Sequence, residues 1–526
     1  MSRLPNETDF ITDLGQGIIN RRRLLAGTAA MGAAILLAPA REVRAKTAGT
    51  LTLGLSAFPP SLRPFERAGA AATTVKLQIM RGLLSYGDDG KIRAELAESW
   101  SYDGDRTYTF KLRDNAVFHN GETVTAEDVD FTIKQITSTA STAYLAQEFR
   151  GLERVQVIDL KNVSLILKEP TPSFPSLLAS EFAPIISKKA FLEKPNNFVG
   201  AGPFKIVEQE KGVRIDFEAF KDFYKPGLPK VSKMSFVVYA DESLRVAALQ
   251  TGDVDIIEYV PAQVMDSIAT NPELELQSTN GPFMWLTFNC QTGPFADPRI
   301  RTAVAHAIKR EDVVAAAFAG KGQPLAGLPI TADSPFYDQK LSQIWSYDPA
   351  KAKALLKEAG AENIRVKLSS SGTYNFFKDT AEIVQQHLLA VGMNVELELL
   401  EWGAYVAQGN KGQYQFAVAG GGMDGNDPDA MSAVIGAQSP SYRRSFERKP
   451  DRVDELLDAG RHEPDPDKRK VIYNELQRVS SDVTPICSLC WISQAYALKK
   501  YVQGFRTLPG LLVYQTGFSL ENVSVM

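Results

Sequence analysis

Cysteine and histidine are scarce in this chain: its 526 residues hold three Cys and four His. His119, His306, His387 and His462 are scattered, with no two at metal-ligand spacing, which disfavours a dedicated metal protein. Cys487 and Cys490 form a C-x-x-C with no second pair. In a strand over 486–497, residues three apart point to opposite faces, so neither a disulfide nor a zinc site is expected of them. An excess of positive charge is missing too. With 58 Lys and Arg against 62 Asp and Glu, the net charge of −4 supplies no basic field for a polyanion, and nucleic acid is not expected as a partner. The chain has no G-x-S-x-G, H-E-x-x-H or P-loop, so an enzyme would lack nucleophile, metal and phosphate cradle. No cofactor is expected.

What is present indicates a large exported protein. A chain this long exceeds one hydrophobic core and requires two or three domains. Its 44% hydrophobic and 23% charged residues, with mean hydropathy −0.16, lie in the soluble globular range. Residues 1–45 read as a secretion signal. A polar leader precedes Asn20-Arg21-Arg22-Arg23-Leu24-Leu25, and an Ala-, Leu- and Ile-rich stretch follows to Leu37, shorter than the roughly 20 residues that span a bilayer. An Arg pair ahead of a weakly hydrophobic segment resembles a twin-arginine export signal. Ala38-Pro39-Ala40 and Val43-Arg44-Ala45 are two cleavage sites, and neither has a Cys beside it to take a lipid anchor. The mature chain is expected to be free in a periplasm.

Along that mature chain, apolar alternation at 51–55 ahead of Pro59, Pro60 and Pro64 predicts an edge strand running into a loop. Residues 75–84 have helical spacing. The stretch 107–112 (TYTFKL) alternates as a strand, and Thr125 is placed as the N-cap of a helix carrying Val129, Phe131 and Ile133. A hairpin is expected over 155–167 around Lys161-Asn162, and Phe174-Pro175 starts another helix. Strands are predicted at 214–217, 234–239, 285–289, 365–368, 395–400 and 416–419; helices are predicted at 242–249, 300–308, 313–318, 349–359 and 379–391. Gly360 and Gly392 are each placed as a helix C-cap before a strand, so the class is mixed α/β.

Several segments, in order along the chain, carry a family resemblance: 94–100 (AELAESW), 108–113 (YTFKLR), 117–121 (VFHNG), 125–129 (TAEDV), 200–204 (GAGPF), 245–255 (RVAALQTGDVD), Phe288-Asn289 with 294–301 (PFADPRIR), and 347–352 (YDPAKA). Together they resemble family 5 of the extracytoplasmic solute-binding proteins of ABC importers, the class that takes oligopeptides, dipeptides and nickel. The resemblance implies a two-lobe α/β periplasmic binding protein of the class II, cluster C type. Lobe I would be 46–282, with a subdomain at about 88–200, lobe II 283–495, and 496–526 would return to lobe I. Ligand would bind in the cleft, and a membrane permease with its ATPase subunits would receive it from a monomeric receptor. Of the signature residues, His119 beside Asn120-Gly121 is expected to shape a turn and Trp100 to fill a core.

The same resemblance nominates ligand-binding residues. Asp424, in the segment 420–429 (GGGMDGNDPD), matches an Asp whose carboxylate pairs with a peptide's α-ammonium in dipeptide binders. Where those proteins have Trp, this chain has Gly421, which removes a stacking face and widens the pocket; Gly422 and Met423 complete the run. Phe283, Trp285 and Trp491 lie at the expected lobe crossings and line either ligand or core. Tyr374 and Asn375, with Phe376, occupy a loop ahead of a helix. Ser56, Ala57 and Phe58 are placed to bond an extended peptide backbone, whereas Trp402 is expected to be structural. The expected ligand is a peptide or a peptide-like, amine-bearing solute. An opine, glycoside or oligosaccharide receptor is the rival suggested by the missing Trp, and a periplasmic hydrolase is the remote one.

Overall fold

The structure is a computed structural model and describes residues 49–423, 425–437 and 449–525. The signal expected at 1–45, and Asp424, lie outside the described residues.

Among the described residues, eleven strands share one mixed sheet. Across it they run Asn394–Leu400, Arg365–Ser371, Phe416–Gly421, Leu274–Phe288, Ile486–Lys499, Ile256–Ile257, Thr50–Leu55, Lys233–Val238, Arg214–Ala219 and Phe204–Glu210; Gly322–Pro324 pairs with Ile486–Lys499 off this path. The two long strands, Leu274–Phe288 and Ile486–Lys499, are antiparallel from Leu274 opposite Lys499 to Thr287 opposite Ile486. Their ladder is irregular between Asn280 and Phe283 and again between Met284 and Trp285, the kind of break that bends a strand pair. Partners change on either side of it. Phe283 to Phe288 pair with Phe416–Gly421, whereas Leu498 and Ala497 pair with Ile256–Ile257.

Thr50–Leu55 is central rather than the expected edge strand, lying parallel to both Lys233–Val238 and Ile256–Ile257. Its three prolines fall after the strand and remove no ladder donor, and five of its six residues are buried, as a strand covered on both faces requires. The helix expected at 75–84 is instead Ala70–Ile79, and Leu84–Tyr86 is a short strand. Met80 is its extended C-cap, and Gly82 in the break lies against the Leu178 carbonyl, which an added Cβ would meet at 2.8 Å. The last expected helix starts four residues early: Tyr374 is its N-cap, and Asn375–Ala390 is helical, so Asn375 and Phe376 belong to the first turn and not to a loop. The other predicted strands and helices are present within a few residues, although the strand predicted at 285–289 extends back to Leu274. Gly360 and Gly392 have φ of +65° and +93°, as C-cap glycines should.

A separate antiparallel sheet, ordered Ala97–Tyr102, Thr107–Leu112, Asn162–Leu167, Leu152–Val157, includes the expected hairpin. Thr125 caps Ala126–Thr137 through a capping box with Asp128. Trp100 corrects the expectation of a core residue. It stands on an outer strand of this sheet and remains 36% exposed, since an edge position leaves one flank of the ring uncovered. The other signature residues are structural in identifiable ways. His119 Nε2–H donates to the Gly202 carbonyl (2.9 Å), and its ring packs edge-on against Phe220. A Cβ on Gly202 would lie 2.3 Å from the Gln78 carbonyl. Asp297 caps Pro298–Ala307, and buried Arg301 donates to the carbonyls of Phe295, Val483 and Thr484.

The buried side chains form four clusters. The largest contains residues from Phe283 to Trp491 with Leu511; a second spans Leu77 to Tyr224 with Leu508, Leu512 and Phe518. Val513 and Leu520 join the third, around Leu51, Leu53 and Phe236. The segment Gly510–Asn522 is therefore packed against three cores. Arg81 fixes its end from within the protein, bonding both Glu95 (3.1 Å) and Glu521 (2.9 Å). Cys487 and Cys490 are buried free thiols. Burial pushes them up to about 11 and about 12, and Arg310 Nη2 contacts Cys487 Sγ at 3.8 Å. No described helix is long and apolar enough to cross a membrane.

Candidate ligand site

Two groups of parallel strands end where a ligand could be held. On one side, Thr50–Leu55 and its neighbours Lys233–Val238 and Ile256–Ile257 run in the same direction; on the other, Arg365–Ser371 runs parallel to Asn394–Leu400 and Phe416–Gly421. Residues just past the carboxyl ends of parallel strands have backbone and side chains free of the ladder, which is why ligands settle there.

Past the first group, Ser56 donates from its backbone N–H (2.9 Å) and its hydroxyl (2.7 Å) to Oε1 of Glu258, 202 residues away in sequence. Glu258 is buried, and burial raises its carboxyl above the ordinary range against the opposing pull of the Ser56 bonds and Arg245. The Arg245 guanidinium donates to three carbonyls, those of Glu258, Tyr259 and Tyr239, at 3.0, 2.9 and 2.7 Å. Tyr259 follows with φ of +51°, a strained value for a ring-bearing residue. Its ring lies 6.2 Å from that of Tyr514.

Past the second group come Gly421, Gly422 and Met423. Gly422 faces Tyr514, whose ring edge would lie 3.3 Å from an added Cβ. Tyr514 thus stands between Tyr259 and Gly422. Leu511 N–H donates to Asn426 Oδ1 (3.1 Å) close by. Gly421 has φ of +153° with nothing within 4 Å of an added Cβ, so a larger residue has space there but a strained backbone. Met423 is buried in the largest core.

Phe283, Trp285 and Trp491 come together, Phe283 being 4.6 Å from Trp285 and 5.7 Å from Trp491 between ring centroids, all within the largest core cluster. Phe58 packs half-buried against the third core. Tyr374 is 39% exposed and meets Trp402 edge-on at 5.0 Å, with Asn375 exposed beside it. Phe377 connects this aromatic group to the glycine run, since its Cζ would lie 3.3 Å from a Cβ on Gly420. Glu258, Tyr259 and Tyr514 were not identified from sequence. An acid after two isoleucines at a strand end was the visible signal for Glu258; its pairing with Ser56 depends on the fold.

Comparison with known proteins agrees with this architecture. The family model for bacterial extracellular solute-binding proteins, family 5, matches residues 91–443, and the chain belongs to that family. The glutathione-binding protein GsiB of Escherichia coli K12 is 27% identical over 481 residues, 88% of this chain and 92% of its own. The structure of the binding protein AgaA with agropinic acid, from A. tumefaciens R10, is 36% identical, has a TM-score of 0.85, and covers 91% of this chain and 99% of its own. A dipeptide-binding protein from Pseudoalteromonas sp. SM9913, solved with Met-Leu, shares the fold at 22% identity and a TM-score of 0.81, over 91% of this chain and all of its own. The fold is the two-lobe α/β fold expected from the sequence.

Proposed function

We propose that the chain is the periplasmic solute receptor of an ABC importer. It captures a peptide-like, amine-bearing solute and passes it, chemically unchanged, to a permease with ATPase subunits. The observation that carries the reading is the approach of two sets of strand ends: Ser56, Glu258 and Tyr259 on one side, Gly421 and Gly422 on the other, with Tyr514 between them. The ladder break at Asn280 to Phe283 is the hinge between the lobes, at the boundary 282/283. Asp424 supplies a carboxylate for the ammonium, and Tyr374 and Asn375 contact the solute from the second lobe. Export follows the twin-arginine route.

Calorimetry of the purified chain with glutathione, Met-Leu and agropinic acid tests the reading. Saturable one-to-one binding of an amine-bearing probe, recovered intact, is the expected result, and turnover of any of them would replace the receptor with a hydrolase. An opine ligand is the second reading, favoured by the 36% identity to AgaA and by the open space at Gly421. Binding of agropinic acid alone would put it first.

A further inference from the structure

Glu258 has an unusual balance of partners. Both Ser56 bonds end on Oε1. Oε2 is fully buried and has no hydrogen-bond partner among the described residues. The nearby cation does not reach it, because all three bonding nitrogens of Arg245 are directed to the carbonyls of residues 239, 258 and 259. Two tyrosines, Tyr259 and Tyr496, lie close enough to the acid to feel its charge, and Tyr514 packs against the first of them. A buried carboxylate oxygen without a donor has given up its water for no replacement bond, so the protein alone leaves this site incompletely satisfied. The acid also stands at the carboxyl end of the central parallel strands, beside a backbone-strained tyrosine.

We propose that Glu258 is a ligand-reading residue, whose Oε2 receives an N–H of the solute's ammonium while Ser56 holds the carboxylate in place. The inference rests on the amine-bearing reading of the function and adds the residue that selects the amine. A primary ammonium carries three donors, enough for this oxygen and for one further carboxylate. A hydroxyl-rich neutral solute leaves the buried charge uncompensated and binds less well.

The test uses the full mature protein, with glutathione and Met-Leu as probes, each with a free and an N-acetylated amine, and compares wild type with Glu258→Gln and Ser56→Ala. Gln keeps an acceptor for Ser56 and removes the negative charge, so the melting temperature of the unliganded variant should stay at the wild-type value. The expected result is at least a tenfold loss of affinity for the free amine in Glu258→Gln, a smaller loss in Ser56→Ala, and no difference between wild type and variant for acetylated probes. Equal affinity of wild type and Glu258→Gln for a free amine would overturn the assignment while leaving the receptor reading intact. Failure of wild type to bind either free amine would overturn the assignment and the amine-bearing reading together, and agropinic acid binding in that case would still show a receptor.

Discussion

His119 shows how a signature residue acts through its protonation state. Its Nε2–H bond to the Gly202 carbonyl connects two segments 83 residues apart. Burial lowers its pKa from 6.5 to about 4, with Lys205 pulling the same way and the Gly202 bond opposing. Because the folded value lies below the unfolded one, the unfolded chain binds the proton first. Stability is therefore full above pH 6.5 and falls as the pH drops toward 4. After discounting for partial exposure, the loss should be on the order of 2 kcal/mol. Urea unfolding across that window should show the slope in wild type and a flatter one in His119→Gln; parallel slopes would remove His119 from the acid sensitivity. Asp424 is a different kind of residue, nominated by resemblance alone. If it pairs with the solute's ammonium, Asp424→Asn weakens calorimetric binding of an amine-bearing ligand by about 1.5–3 kcal/mol, roughly 10- to 150-fold. A change within about twofold would return it to the loop.

The elements were more legible than their surroundings. Thr125, read as an N-cap from its position before two acids, accepts from Asp128 N–H, and Asp128 answers by accepting from the Thr125 backbone and hydroxyl. Thr125→Ala should cost about 1 kcal/mol of stability, seen as a lower urea midpoint with an unchanged slope; no shift would mean that packing alone holds this helix. Capping and periodicity are local properties, and the sequence displayed them. Strand order is not local. Thr50–Leu55 looked like an edge because prolines followed it, yet its neighbours are strands beginning at residues 233 and 256. Trp100 looked like core because Trp is usually covered, but its strand lies at the rim of a four-stranded sheet. The candidate site divides in the same way: Ser56 and the glycine run were nominated from sequence, while Glu258 and Tyr514 gain significance only from contacts across 202 and more than 90 residues.

At the scale of the molecule, the proposed mechanism has two consequences. Export through the twin-arginine route means that the protein crosses the membrane folded. Replacing Arg21, Arg22 and Arg23 together by Lys should stop its periplasmic accumulation, since Arg23 leaves a pair intact if only Arg21 is changed; unchanged export of the triple variant would assign the general secretory route instead.

The second consequence concerns closure. The long strands Leu274–Phe288 and Ile486–Lys499 each pair with early strands at one end and late strands at the other, and their ladder is broken between Asn280 and Phe283. Gly281 lies at that break against Gly510, where an added Cβ would come within 1.8 Å of a carbonyl oxygen, so the crossing strand and the C-terminal segment touch at the point of bending. Near it, Tyr514 faces Gly422 and Leu511 N–H donates to Asn426, so the C-terminal segment touches the loop after the glycine run. If the strand ends close over the solute as proposed, the solute binds the closed form better than the open one and shifts the population toward it. Ligand at about 100 times its Kd should add about 2.7 kcal/mol of stability, and small-angle scattering should show a smaller radius of gyration with saturating ligand than without. Stabilisation without compaction would mean that the solute binds a cleft already closed, and that the break at 280–283 is a fixed bend in the sheet and no hinge.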